Sequence, residues 1–174
     1  MNSQENESVE ALRTAMDIED NGLLTYLQFA RQSINETGKN MFIRLAIDEH
    51  NHRIILEKQL YELLSNGNWE VIEIPKSEIE KILPAIREKQ KRTKDKAELN
   101  EIDALHTAFD LERKSAQYYR ENAEKFNSKE AKLLFTRLAE WEDTHIDLIQ
   151  AELDSINQTG LWFGIPEFYM DGKY

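Results

Sequence analysis

The sequence predicts an all-α protein, a four-helix bundle of two repeated helix pairs with a long crossover between helices 2 and 3. The first observation is a repeat, because residues 11–69 align without a gap on residues 104–162 and 18 of these 59 positions are identical. The second is composition: with 6 Gly, 3 Pro and 32% charged residues, few positions interrupt helices. The third is four long segments whose apolar residues recur every three or four positions.

The first helix pair is predicted from periodicity and from its stop signals. The first helix covers about residues 8–35 and the second about residues 39–65, with Gly38 as the turn between them. Asn66 and Gly67 form a C-cap pattern that ends the second helix.

The crossover covers about residues 70–96 and is too long for a tight hairpin. Ser77 and Glu80 form a capping-box pattern ahead of a short helix that Pro84 interrupts. Residues 89–96 are strongly charged, and we expect them to be solvated. Some four-helix bundles use such a crossover between their second and third helices.

The second helix pair covers about residues 97–126 and 129–156, with Ser128 as the N-cap of the last helix. The tail is aromatic and predicted to be non-helical, and we expect it to pack on its own bundle or on a partner subunit. We expect residues 1–174 to form a single domain, with a first repeat at about 8–69, a crossover at about 70–96, a second repeat at about 97–162 and an aromatic C-terminal tail at 158–174.

Each repeat carries one Glu on its first apolar stripe and one Glu-x-x-His on its second. The six residues are Glu19, Glu49, His52, Glu112, Glu142 and His145. Residues i and i+3 share a helix face, so each Glu-x-x-His points one way. Buried carboxylates repel one another, and two divalent cations would offset four negative charges. Carboxylate and imidazole suit iron or manganese, with zinc as a further alternative. The pattern predicts two metal ions in the bundle.

Two tyrosines also repeat, two helical turns after the first Glu of each pair. Tyr26 and Tyr119 are either hydrogen-bond donors to the metal ligands or amphipathic core tyrosines. His50 and His106 have no counterpart in the repeat, and we interpret both as ordinary residues.

Composition excludes several classes of function. A formal net charge of −11 argues against nucleic acid and against an anionic membrane surface as partners. With 0 Cys, zinc-thiolate sites, iron–sulfur clusters, disulfides and thiol catalysis are excluded. The sequence has no signal-peptide pattern and no apolar run near the ~20 residues that span a bilayer. We therefore expect a cytoplasmic protein.

The repeated motifs resemble those of rubrerythrin-like proteins of the ferritin-like superfamily. The matching pieces are Glu-x-x-Gly-x-x-x-Tyr and Glu-x-x-Ser-x-x-x-Tyr at residues 19–26 and 112–119, and Phe-x-Arg-Leu-Ala-x-x-Glu-x-x-His at residues 42–52 and 135–145. The resemblance implies a non-haem di-iron site in which Glu49 and Glu142 bridge the ions. It further implies that Glu19 and His52 complete one iron, and Glu112 and His145 the other.

The chain departs from that family pattern in two ways. Rubrerythrins typically end in a rubredoxin domain with four Cys, and this sequence has none. They also typically carry an additional Glu at the position of Ser115. The resemblance therefore implies a symmetric six-ligand site, and electrons that come from a separate donor such as a rubredoxin-like protein.

Three functions remain open from the sequence. The leading hypothesis is an oxidoreductase that reduces hydrogen peroxide or dioxygen at two iron ions. The alternative is an iron-binding ferroxidase that buffers iron without a reductase cycle. The third is a metal-free interaction module, which four uncompensated buried Glu argue against, because net stability is only ~5–15 kcal/mol. By family analogy we expect a homodimer.

Overall fold

The computed structural model describes residues 3–71, 73, 75–77, 79, 92–97 and 99–163. Within these ranges there are four long helices and two short strands: α1 (Ser3–Gln32), α2 (Glu36–Asn66), β1 (Arg92–Lys96), α3 (Leu99–Lys125), α4 (Lys129–Thr159) and β2 (Leu161–Phe163). Helix α1 packs along α2, α3 packs along α4, and α1 also contacts α3. The predicted ferritin-like bundle of two helix pairs is confirmed.

The ends of α2 and α4 use the same signal at the same repeat position. Gly67 and Gly160 both adopt the left-handed conformation, with φ of 72° and 71°. Side chains are strained there, so glycine is the residue that ends each helix without strain. The predicted C-cap at Gly67 is therefore confirmed. The predicted N-cap is confirmed as well, because Ser128 Oγ accepts a hydrogen bond from the Ala131 backbone N–H at 3.2 Å.

The predicted turn at Gly38 is wrong. Helix α2 already begins at Glu36, and Gly38 lies buried in its first turn. A Cβ atom at Gly38 would lie 2.5 Å from Cζ2 of Trp162, well inside van der Waals contact. Glycine is thus needed here for space, because the Trp162 indole packs directly on the helix backbone. The same indole meets the Phe42 ring edge-on at 6.5 Å.

The turn between α1 and α2 lies instead at residues 33–35, where a carboxylate from α3 holds it. Glu101 is buried, and its Oε1 accepts hydrogen bonds from the backbone N–H groups of Ile34 and Asn35 at 3.1 and 3.2 Å. Its Oε2 accepts a third hydrogen bond from Asn35 Nδ2 at 2.7 Å. One side chain of the second pair therefore satisfies backbone donors at the start of α2.

The crossover and the tail meet in a strand pair that the sequence did not predict. Strand β1 pairs antiparallel with β2, with Arg92 opposite Phe163 and Lys96 opposite Leu161. The charged stretch expected to be solvated thus includes a hydrogen-bonded strand. Helix α4 runs to Thr159, beyond its predicted end. Glu80 and Pro84 of the predicted crossover helix lie outside the described residues. Residues 164–174 of the tail also lie outside them. The described part of the tail packs on its own bundle through Trp162, which is fully buried, as predicted.

The apolar core consists of two clusters that lie on either side of the middle of the bundle. One contains Phe42, Leu45 and Trp162, and the other contains Phe135 and Trp141. The six predicted ligand residues lie along the helices between them. Among the described helices, none combines the length and apolar character needed to cross a bilayer.

Candidate metal centre

All six residues predicted as metal ligands meet in the middle of the bundle. Helices α1 and α3 each contribute one Glu, and α2 and α4 each contribute a Glu and a His one turn apart. Their exposed fractions are at most 3%. The set is Glu19, Glu49, His52, Glu112, Glu142 and His145. Carboxylates are rarely buried this deeply unless they are paired, so the convergence needs a chemical explanation.

The six side chains form two overlapping groups. In each group, one possible ligand atom per residue lies within 4.8 Å of the others. The first group consists of Glu19, Glu49, His52 and Glu142, and the second of Glu49, Glu112, Glu142 and His145. Glu49 and Glu142 belong to both groups, and each group draws on both helix pairs.

The two imidazole rings present the same nitrogen to the carboxylates. His52 Nδ1 lies 3.3 Å from Glu19 Oε2 and 3.1 Å from Glu49 Oε2. His145 Nδ1 lies 3.4 Å from Glu112 Oε1 and 3.5 Å from Glu49 Oε1. The rings are nearly parallel, with centroids 5.5 Å apart and an interplanar angle of 11°. Nδ1 is therefore the nitrogen of each ring that could bind a metal ion lying between the carboxylates.

Each repeated tyrosine donates a hydrogen bond to the Glu of the opposite helix pair. Tyr26 Oη on α1 donates to Glu112 Oε1, and Tyr119 Oη on α3 donates to Glu19 Oε1. Both tyrosines are buried. Burial, followed by the charge of the accepting Glu, raises the pKa of each tyrosine well above its usual range, so both hydroxyls keep their protons. Of the two interpretations of these tyrosines, the hydrogen-bond donor describes the contacts.

Burial and mutual contact shift the pKa values of the cluster in different directions. Burial, reinforced by the charges of Glu49 and Glu142, raises the pKa of Glu19 and Glu112 well above the usual carboxylate range. Burial alone would lower the pKa of His52 and His145, but the facing carboxylates outweigh it and raise both. Burial likewise opposes ionisation of Glu49, yet the two histidines hold the pKa of that carboxyl below its ordinary value. Without metal, the cluster therefore binds protons that a cation must displace.

Two residues next to the cluster were not singled out from the sequence. Asp48 is fully buried, and its Oδ2 lies 3.4 Å from His145 Nε2 and accepts a hydrogen bond from the Ile79 backbone N–H at 3.0 Å. Trp141 stacks on His52 with ring centroids 4.3 Å apart and an interplanar angle of 5°. They occupy the same position of the repeat, one residue before its second Glu. The mismatch between Asp and Trp, inside an otherwise matched stretch, is the signal that could have identified them.

A cavity of about 330 Å³ opens between α1 and α3 and reaches the carboxylates. Gly22 and Ser115, at matched positions of the repeat, line it together with Glu49 and Glu142. A Cβ at Gly22 would lie 3.2 Å from Glu49 Cγ, so a larger side chain would crowd the cluster from this side. Ser115 donates its hydroxyl to the Leu111 carbonyl at 3.2 Å and adds no carboxylate. His50 and His106 are exposed and lie outside the site.

The bundle and its buried Glu/His cluster define the class of ferritin-like proteins with a di-iron domain. A sequence profile of the rubrerythrin family matches residues 10–153, which include all four helices' site residues. The chain belongs to the rubrerythrin family. No curated protein matches it at a significant level.

The cluster also fits metal ions by its own chemistry. Several buried atoms have no hydrogen-bond partner among the described residues: Glu49 Oε2, Glu142 Oε1, His145 Nδ1 and both ring nitrogens of His52. His52 Nδ1 and Glu49 Oε2 are only 3.1 Å apart, yet the angles do not permit a hydrogen bond. Buried polar atoms without partners are costly, and lone pairs that converge in this way suit a cation. The site can therefore hold a metal.

Proposed function

We propose that this protein is a non-haem di-iron oxidoreductase that reduces hydrogen peroxide or dioxygen. Glu49 and Glu142 would be shared between the two ions, because they alone belong to both groups of potential ligands. Glu19 and His52 would hold one ion, and Glu112 and His145 would hold the other. The observation that carries the proposal is this pair of overlapping buried groups, in which several converging oxygen and nitrogen atoms have no hydrogen-bond partner among the described residues.

Charge balance supports a pair of divalent ions. Four carboxylates carry about −4 when ionised, and two divalent cations match that charge. When bound, a ferrous pair supplies one electron from each ion. These two electrons are the number needed to cleave the O–O bond of hydrogen peroxide. Carboxylate and imidazole ligands favour iron, with manganese or zinc as competing metals.

The residues around the cluster position the ligands and admit a small substrate. The hydroxyls of Tyr26 and Tyr119 fix the orientation of Glu112 and Glu19, as outer hydrogen-bond partners do in metal sites. The cavity between α1 and α3 gives a molecule the size of peroxide or dioxygen a path to Glu49 and Glu142. The apolar clusters on either side exclude bulk water and limit side reactions.

Peroxide reduction consumes two electrons and two protons and releases two waters. The sequence contains 0 Cys, so it offers no rubredoxin-type centre to supply these electrons. We therefore propose a separate electron donor, such as a rubredoxin-like protein, and a cytoplasmic setting in which it is available.

The test is an anaerobic titration of the metal-free protein with ferrous ion, followed by reaction with peroxide or dioxygen. Two tightly bound ions and repeated turnover with an added reductant support the reductase. A single round of oxidation that leaves ferric ion bound or released, with no effect of reductant, supports the ferroxidase instead.

The matched control is Glu140→Gln, which removes an exposed carboxylate two residues before Glu142. It is expected to bind both ions and to turn over like the parent protein. A parent protein that binds neither ion, and whose thermal stability is the same with and without added ferrous ion, contradicts the proposal and favours the interaction module.

A further inference from the structure

We infer that the two halves of the metal centre are inequivalent, because Asp48 positions His145 whereas Trp141 gives His52 no equivalent partner. The His145 half then binds its ion more tightly and fills first. This inference rests on the proposed function, since it concerns the same metal centre.

The repeat places the two residues at one position. Asp48 precedes Glu49 on α2, and Trp141 precedes Glu142 on α4. Each contacts the histidine of the opposite helix pair, so Asp48 reaches His145 and Trp141 reaches His52. The Glu and His of the Glu-x-x-His motif are the same in both repeats. The residue that contacts each histidine differs, because it is the carboxylate Asp48 for His145 and the indole Trp141 for His52.

On one side, a carboxylate supports the ligand. His145 Nδ1 faces Glu112 and Glu142, so a neutral ring that uses Nδ1 as a ligand carries its proton on Nε2. That Nε2 lies 3.4 Å from Asp48 Oδ2, within reach to donate. Asp48 is itself fixed, because it is fully buried and the same oxygen accepts the Ile79 backbone N–H at 3.0 Å. The carboxylate therefore sets both the tautomer and the orientation of the ligand ring.

On the other side, an indole occupies the matching place. Trp141 lies flat on the His52 ring, and the Arg137 guanidinium lies over the indole with Cζ 5.4 Å from its centroid. An indole has one N–H donor and no acceptor. His52 Nε2 accordingly has no hydrogen-bond partner among the residues the structure describes. Stacking holds the plane of the ring but leaves its proton without an acceptor.

The physical consequence is a difference in metal affinity. A carboxylate that accepts the distal N–H makes the imidazole a stronger donor to a cation, and loss of such a partner typically costs about 10–100-fold in affinity. Since the two groups otherwise contain the same kinds of ligand and share two of them, Asp48 is the described feature that separates them.

The experiment uses the full chain, freed of metal and titrated with Co²⁺, which reports each binding step through its visible absorption. The parent protein is expected to show two separate steps. Asp48→Asn, which keeps an oxygen for the Ile79 N–H but removes the charge, is expected to weaken the first step about 10–100-fold and to leave the second within about threefold. Asp143→Asn, at a half-exposed residue that pairs with Arg120, is the control and is expected to leave both steps unchanged.

A second measurement follows the imidazole N–H proton directly. The proton NMR spectrum with one Co²⁺ per chain is expected to show one shifted imidazole N–H that exchanges slowly with solvent, because Asp48 holds it. In Asp48→Asn this signal is expected to exchange faster.

Two equal binding steps in the parent protein, or equal weakening of both steps by Asp48→Asn, would overturn the inference while leaving the metal centre in place. Loss of the slow N–H signal in Trp141→Phe but not in Asp48→Asn would overturn it as well, since that result would assign the first ion to His52. If the parent chain binds no Co²⁺ and no Fe²⁺, the proposed function itself fails.

Discussion

The two helix pairs share a pattern of inward-facing residues but present different surfaces to their surroundings. Inside, Glu, Glu and His recur at matched positions, and so do the tyrosines that cross between pairs. Outside, α1 and α2 expose Leu24, Leu27, Ile43, Ile47, Ile54, Tyr61 and Leu64. The matched positions of α3 and α4 are polar: Gln117, Arg120, Thr136, Glu140, Asp147, Asp154 and Asn157.

The direction in which a residue faces therefore decides whether its identity is constrained. Residues that face the cluster match between the two helix pairs, and residues that face outward do not. Residues that face the cluster depend on both pairs at once, because each group of potential ligands includes residues from both. Outward residues have no such dependence, and there the two pairs differ. Asp48 and Trp141 lie between these cases, because they are buried against the site yet differ between the repeats.

The strongest test of the comparison contrasts a shared Glu with an unshared one. Glu49→Ala is expected to abolish binding of both ions, because Glu49 belongs to both groups, whereas Glu19→Ala removes a ligand of one group only. Metal content after anaerobic ferrous titration would then fall from two ions to fewer than one in the first variant and to about one in the second. Circular dichroism checks that both variants remain helical. Two full ions in Glu49→Ala would contradict the shared role.

The next test asks whether the crossing tyrosines are equivalent. Tyr26→Phe removes the donor to Glu112, and Tyr119→Phe removes the donor to Glu19. Each is expected to lower the affinity of one ion by about 10–100-fold and to leave the other ion nearly unaffected. Stepwise Co²⁺ titration measures both affinities. Tyr118→Phe is the control, because Tyr118 lines the same cavity but donates its hydroxyl to the Ala11 carbonyl and not to a potential metal ligand. Equal weakening of both steps by one substitution would contradict the assignment.

A third test uses packing away from the metal. Gly38→Ala places a Cβ 2.5 Å from the Trp162 ring, so overpacking is expected to lower the free energy of unfolding by about 1–3 kcal/mol. The matched position in the second pair is Ala131, which is buried, and Ala131→Gly there is expected to cost about 1–2 kcal/mol through helix propensity and the loss of a buried methyl group. Urea unfolding measures both. If Gly38→Ala costs as much in a Trp162→Leu background as in the parent protein, the clash with Trp162 is not the cause.

The smallest expected effect concerns the outer surfaces. We propose that a second copy of the chain covers the exposed apolar side chains of α1 and α2, because these side chains are exposed to water in the single chain, whereas the matched positions of α3 and α4 are polar or charged. Ile47 is 45% exposed on that apolar face, and Ile47→Asp is expected to shift the dimer toward monomer. Glu140→Ala, at the matched position, leaves the mass unchanged. Sedimentation equilibrium reads both, and a monomeric parent protein would contradict the proposal.

The sequence predicted the four helices and the meeting of the six site residues, because both follow from local periodicity and from the repeat. It did not predict why Gly38 is glycine, since the reason is Trp162, far away in the chain. The pairing of β1 with β2 was missed for the same reason. The role of Asp48 was hidden because the Ile79 N–H and His145 that it contacts come from different parts of the fold. Contacts between distant segments leave no local pattern.

The two matched C-caps each lead into a tryptophan that packs against the other half of the molecule. Trp69, after Gly67, meets Phe135 of the second pair at 5.9 Å, and Trp162, after Gly160, meets Phe42 of the first at 6.5 Å. Neither hairpin is therefore complete alone, because each contributes to the other a packed tryptophan and a carboxylate that belongs to both groups of potential ligands. In terms of assembly, the described helices form a pseudo-symmetric pair of hairpins within one chain. Two halves of one chain can carry different residues at matched positions, as Asp48 and Trp141 do, whereas identical subunits cannot.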